Sequence, residues 1–248
     1  MFTVTKGDIA AIRDDWITDN VSATLSPSLS LYLTFTQAIA FWQEWIEHEE
    51  LSKHPKAMIE LLRPSMSFLL LSIPDPLSLK GVLPDFSNTT HIFLPINNNS
   101  NPEEASGGSH WSLLLVSLLD NVAFHYDSLT PSNHKEAFTT VEKLSVLTGK
   151  NLKFVHMEDA PQQENGSDCG MFVCILMKHL LLTRLLKADS NTKVTMSMAG
   201  REVNAALGRK VMLKTIDNLR KEQEKNRSRS GSPRRRSKSP RHSETETE

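Results

Sequence analysis

The chain has 248 residues, 39% hydrophobic and 23% charged, which are ordinary globular proportions; collagen, coiled coil and wholesale disorder are disfavoured, and one or two domains with a real core fit. The net charge of −1 hides an asymmetry, because residues 225–243 carry eight basic residues and no acid, leaving 20 basic against 29 acidic elsewhere, a remainder of −9. Two cysteines, Cys169 and Cys174, make no disulfide framework and show no zinc-site spacing, so a reducing compartment, cytoplasm or nucleus, is expected.

The opening residues lack a basic flank followed by an apolar run, so no secretory signal is read. Residues 21–43 are uncharged but too rich in Ser and Thr to supply the roughly 20 apolar residues of a membrane span. Up to about residue 90 the pattern reads as helical pieces broken by Pro and Ser, with an amphipathic stretch at 40–51. The period then changes. Residues 90–96 look like a buried strand, 97–108 like a polar loop ending in two glycines, 111–119 like a second strand and 122–127 like a third, with Asp120-Asn121 as the turn.

A helix is expected at 134–147, with Ala137, Val141, Leu144 and Leu147 on one face and Gly149 at its end. A short strand follows at 152–157, then a loop at 158–167, then a buried helix from Cys169 to about 186, with Asp168 where an N-cap belongs. Residues 199–224 make a last amphipathic helix (Val203, Leu207, Met212, Ile216, Leu219), and the Arg- and Ser-rich tail from 225 is read as disordered. No internal repeat is evident, and the order of elements is that of an α+β protein, helices flanking a small mixed sheet.

Cys169 opens an apolar helix and precedes Gly170, which lets a substrate backbone come close. The unpaired N–H groups and partial positive charge of a helix start favour a thiolate, so Cys169 is the candidate nucleophile and Cys174 a structural residue. A thiolate needs a base and the base an orienting group. His110 precedes a strand and Asp127 ends the strand folding back from it. With a two-residue turn at Asp120-Asn121, His110 lies opposite position 131, so Asp127 is four residues off register on the same face; His125 is the competing base. Gln163, in the loop before Cys169, is the candidate side-chain donor to an oxyanion, beside the Cys169 N–H.

His110-Trp111-Ser112-Leu113, His125-Tyr126-Asp127-Ser128 and Pro161-Gln162-Gln163-Glu164-Asn165-Gly166-Ser167-Asp168-Cys169-Gly170-Met171-Phe172-Val173 together resemble the ordered signature of the Ulp/SENP cysteine proteases, which cleave ubiquitin-like modifiers. The branch resembled most is the deneddylases, through Phe93-Leu94-Pro95-Ile96-Asn97 and the Asn-rich loop ending in Gly107-Gly108. The resemblance implies a papain-like α+β fold, with Cys169 as nucleophile, His110 as general base and acid, Asp127 as its orienter and Gln163 as oxyanion donor. It also implies that Trp111 covers the modifier's Gly-Gly tail, that Trp16 shapes the narrow channel and that Asp19 touches the tail. A channel that admits only Gly-Gly filters by sterics, since any Cβ would clash, and an acidic body suits a modifier with a basic tail.

Three departures from the family pattern bear on activity. Ser167 stands where an aromatic is common, which predicts a loosened turn before Cys169; Asn20 replaces a frequent His; and residues 21–37 look inserted, translated from a retained intron, interrupting a helix beside the channel. The expected organisation is a catalytic domain over 1–188, a helical extension over 189–224 and a basic tail over 225–248, in which Ser232-Pro233 and Ser239-Pro240 are candidate phosphorylation sites. The resemblance implies no metal or cofactor, and a monomer is expected. The expected partners are a NEDD-type (Rub) modifier and its conjugates such as cullins, with no membrane and no specific nucleic acid. The rivals are a SUMO- or ubiquitin-specific protease, and a catalytically impaired module that only binds a modifier.

Overall fold

The structure, a computed structural model, describes residues 27–99, 108–188 and 194–230. Five strands form one mixed sheet in the order β1-β2-β3-β4-β5: β1 (Ile59–Leu61), β2 (His91–Asn97), β3 (Trp111–Ser117), β4 (Val122–Tyr126) and β5 (Lys153–His156). The outer pairs β1/β2 and β4/β5 are parallel, and the inner pairs β2/β3 and β3/β4 antiparallel. Helices cover both faces, which is the α+β architecture expected.

Alternation along the strands decides which helix goes where. Phe93, Leu113 and Leu115 point to one face, into a core shared with α1 (Pro27–Glu49), α4 (Cys169–His179) and α5 (Ala205–Ser230). Ile92, Leu94, Ile96, Leu114 and Val116 point to the other face and pack with α2 (Pro64–Ser72) and α3 (His134–Thr148). Every residue of β3 is buried because both its faces and both its edges are covered, so it reads as a continuous apolar run. Pro95 sits inside β2 at no cost in hydrogen bonding. Phe93 O accepts from Leu62 N on the β1 side, and Pro95, two residues on, turns its missing N–H to that same side, past the end of β1.

The helices follow their patterns. On α3, Ala137, Val141 and Leu144 are buried, and Gly149 ends the helix in the left-handed region at φ 67, its N–H reaching Ser145 O. On α4 nearly the whole circumference is apolar and buried, as befits a helix packed between β3, α1 and α5. Its last turns, Leu180–Leu185, widen into a π-helix. Among the described residues no helix is long and apolar enough to cross a membrane.

Four expectations change. The strand β1 escaped the reading because three residues, Ile-Glu-Leu, carry no alternation signal. The turn between β3 and β4 occupies four residues, 118–121, with Asn121 at φ 55 and Ser117 Oγ donating to Asp120 Oδ2 at 2.6 Å. The register is therefore shifted by two, which preserves the face and sets Asp127 level with Ser112, nearer to His110 than expected. Residues 27–37 do not interrupt a helix: they are the first turns of α1, which runs unbroken to Glu49, with Pro27 at the helix start where its missing N–H is harmless. Residues 21–26 lie outside the described residues. Finally, residues 225–230, assigned to the tail, continue α5, in which Lys225, Arg227 and Arg229 are good helix formers; 231–248, with both Ser-Pro pairs, lie outside the described residues.

Candidate active site

Two strands of the sheet and the start of α4 converge on one place. His110 immediately precedes β3, Asp127 immediately follows β4, and Cys169 is the first residue of α4, where N–H groups have no carbonyl partner within the helix. His110 Nε2 lies 2.6 Å from Asp127 Oδ1, the two residues being 3% and 0% exposed. Cys169 acts on the same imidazole from the start of α4, through hydrogen bonding and charge that favour its protonated form. Burial opposes a charge on His110, but the hydrogen bond to Asp127, the hydrogen bond to Cys169 and the attraction of both groups outweigh it and lift its pKa to about 9.

Asp127 is held as a carboxylate. Burial works against its charge, yet hydrogen bonds from His110, from Asn133 N at 2.9 Å and from Leu129 N at 3.0 Å keep it well below the usual carboxylate range. The competing base His125 is turned away: Nε2 meets Ser112 Oγ at 2.9 Å and Nδ1 meets His156 Nδ1 at 3.1 Å, and burial pushes its pKa far down, so it stays neutral. Cys174 is buried one turn deeper in α4, where desolvation pushes its thiol up, and its carbonyl accepts from Trp42 Nε1 at 3.1 Å.

The loop before α4 places Gln163 against the strand that carries Asp127. Gln163 Oε1 accepts from Ser128 Oγ at 2.7 Å and Nε2 donates to Asn165 O at 2.6 Å, which fixes which end of the amide is the donor and leaves its second N–H unspent. Its neighbour Gln162 clamps the same loop, donating to Asp127 O at 2.8 Å.

Several residues that hold His110 were absent from the sequence reading. Asn133 Nδ2 donates to Ile96 O at 3.0 Å and lies within 3.3 Å of His110 O, while Asn97 Nδ2 donates to that same carbonyl at 3.0 Å. Asn98 Oδ1 accepts from Ser109 N and His110 N. The signal for Asn133 was its place one residue before α3, a capping position; its side chain instead turns inward. Gly108, at φ 87, brings the chain so close that a Cβ would lie 2.1 Å from Asn97 Oδ1.

Trp111, the first residue of β3, is 2% exposed and packed into the core that contains Cys169. Trp16 and Asp19 lie outside the described residues. Asp168 does not cap α4. Its side chain takes no bond from the helix and turns instead to Asn165 Nδ2, at 2.9 Å, and to Arg209. The turn expected to be loose at Ser167 is held, since Asn165 Oδ1 accepts from Ser167 N at 2.9 Å. Among the described residues no group of three His, Cys, Asp or Glu side chains could hold a metal ion.

Residues 78–207 match the model of the Ulp1 protease family, C-terminal catalytic domain. The chain belongs to the Ulp1 protease family. It is 36% identical over 185 residues, 73% of its length, to the NEDD8-specific protease 2 of Schizosaccharomyces pombe, of which it spans 44%. It is 32% identical over 174 residues, 62% of its length, to the probable sentrin-specific protease 8 of Dictyostelium discoideum, of which it spans 68%. Against the crystal structure of the C-terminal Ulp1 protease domain in complex with Smt3, the yeast ortholog of SUMO, the identity is 18% with a TM-score of 0.51, covering 85% of this chain and 93% of that one. That likeness confirms the Ulp-type fold. The chain spans less than half the length of its fission yeast relative.

Proposed function

We propose that this Ulp1-family chain is a thiol protease that hydrolyses the bond after the C-terminal Gly-Gly of a ubiquitin-like modifier of the NEDD8 type, releasing it from conjugates such as cullins and processing its precursor. The observation that carries the reading is the single imidazole of His110, hydrogen-bonded to Asp127 at 2.6 Å and held in its protonated form by Asp127 and Cys169 together. Cys169 Sγ attacks the glycyl carbonyl carbon. The oxyanion that forms is met by the Cys169 N–H at the start of α4 and by the second N–H of Gln163. As the C–N bond breaks, protonated His110 gives its proton to the leaving lysine amine, and a thioester remains. Water then attacks the thioester, neutral His110 takes the water's proton, and the modifier leaves as a carboxylic acid while Cys169 is restored. Trp111, with Trp16 and Asp19, is assigned to the tail channel on the family resemblance alone, and the chain is taken to act as a monomer.

The choice of modifier follows the fission yeast relative named a NEDD8-specific protease, at 36% identity. The test is a panel of modifiers activated at the C-terminus, NEDD8, SUMO and ubiquitin, each offered to the wild-type chain and to Cys169→Ala. Labelling of the wild type by the NEDD8 probe, lost in Cys169→Ala, is expected. Preferential labelling by SUMO or ubiquitin would reassign the modifier, and binding of a modifier without labelling by any probe would make the chain a binding module.

A further inference from the structure

Helix α5, read from the sequence as an extension beyond the catalytic domain, reaches the residues next to the nucleophile. Arg209 is 7% exposed. Its Nη2 donates to Ser167 O at 3.3 Å and forms an ion pair with Asp168 Oδ1, an oxygen closed to solvent, and the Asp168 side chain is 13% exposed. The approach is possible because Gly208 lies flat on α4: a Cβ there would stand 2.7 Å from Ile175 Cδ1 and 3.0 Å from Met171 Cε. Met212 and Ile216, both fully buried, fasten the helix in place.

We propose that Arg209 is a positioning residue of the active site, which holds the turn at Ser167 and Asp168 and balances the carboxylate that adjoins Cys169. This rests on the reading of Cys169 as nucleophile. Asp168 has helical dihedrals, φ −94 and ψ −6, and spends no oxygen on capping α4. It is a largely buried negative charge beside a sulfur that must itself become negative, and a buried charge needs a partner. Arg209 is that partner, and it also holds Ser167 O.

The contact continues into the rest of the site. Asp168 Oδ2 accepts from Asn165 Nδ2 at 2.9 Å; Asn165 O accepts from Gln163 Nε2 at 2.6 Å; Gln163 Oε1 accepts from Ser128 Oγ at 2.7 Å; and Ser128 follows Asp127, the partner of His110. Arg209 thus stands at one end of a polar chain whose other end is the catalytic imidazole. Loss of the guanidinium frees the Asp168 carboxylate to oppose the Cys169 thiolate and lets the oxyanion loop shift.

The experiment measures alkylation of Cys169 by iodoacetamide at neutral pH, read by mass spectrometry on its peptide, together with kcat and KM for a modifier-derived substrate. In Arg209→Gln, alkylation slows about 3- to 10-fold and kcat falls with KM little changed, because an unbalanced neighbouring carboxylate disfavours the thiolate. Adding Asp168→Asn in the same chain brings alkylation back to within about twofold of the wild type, which a purely structural role for Arg209 would not do. A folded Arg209→Gln chain alkylated at the wild-type rate, or a double variant no faster than the single one, overturns the proposal. Should Arg209→Gln fail to fold, Arg209→Lys decides: it keeps the charge and therefore the alkylation rate, but one ammonium in place of the guanidinium fork loses the carbonyl contact and lowers kcat several-fold. Wild-type kcat in that variant overturns the proposal. Alkylation needs no modifier, so absence of cleavage with every modifier counts against the protease reading, while the alkylation rates still judge the Arg209 contact.

Discussion

His110 favours its protonated form although it is buried, because Asp127 and Cys169 act on it together. Its pKa, raised from 6.5 to about 9, makes two consequences measurable. A group whose folded pKa is raised stabilises the fold fully below its unfolded value and ceases to do so as the pH rises through the folded one. The His110 contribution is therefore complete below about pH 6.5 and gone above about pH 9. Asp127 has the opposite sign: its pKa is depressed, so its contribution is present above the ordinary value of 3.8 and is lost as the pH falls below it. For catalysis, the alkaline limb of kcat/KM should fall near pH 9, where the imidazolium loses the proton that the leaving amine needs. A limb at the ordinary histidine value of 6.5 would mean that Asp127 and Cys169 do not hold it.

Among the elements, the loop that delivers His110 illustrates how far a sequence can be read. The strands β2 and β3 were legible because buried strands are apolar runs; the set His110, Asp127, Gln163 and Cys169 was expected through the family resemblance, since element ends alone left His125 as a rival base. What was not legible is how the loop is fixed. Nothing in an Asn-rich stretch says that Asn97 and Asn133 will both reach the carbonyl of His110, since that depends on long-range packing of β2 against α3. The same blindness made Asp168 a cap: an Asp before a helix usually is one, but here a guanidinium 41 positions downstream (209 − 168) competes for its oxygen. Gly108 can be tested at this scale. Alanine there would be strained at φ 87 and would displace Asn97, so Gly108→Ala should lower kcat/KM about 10- to 100-fold through misplacement of His110, while the pH at which the activity falls stays where it was. Unchanged kcat/KM would show that the loop tolerates the shift.

For the molecule as a whole, the core continues past residue 188, where the catalytic domain was expected to end. Met198, Ala205, Met212 and Ile216 are buried in the same cluster as Cys169, Trp111 and the helix α1. A helix that is polar along most of its length looks like an appendage in sequence, because its apolar residues are few and its charged ones many; the few are the ones that count. Met212, with no exposed surface, supplies the measurement: Met212→Ala should cost about 2–5 kcal/mol in urea unfolding and move the single transition of the whole domain. A separate, unaffected transition for the strands would restore the boundary. Helix α5 itself is net basic, with eight Lys and Arg residues against three Asp and Glu, so the basic end of the chain begins within the folded part.

Arg209 follows Ser167 by 42 residues, so the contact that completes the turn before the nucleophile comes from a part of the polypeptide made after every strand and after the cysteine itself. On a ribosome, the sulfur, the imidazole and the carboxylate would all have emerged before their last support. A nascent chain would then carry a cysteine whose last several-fold gain in reactivity waits for the final helix.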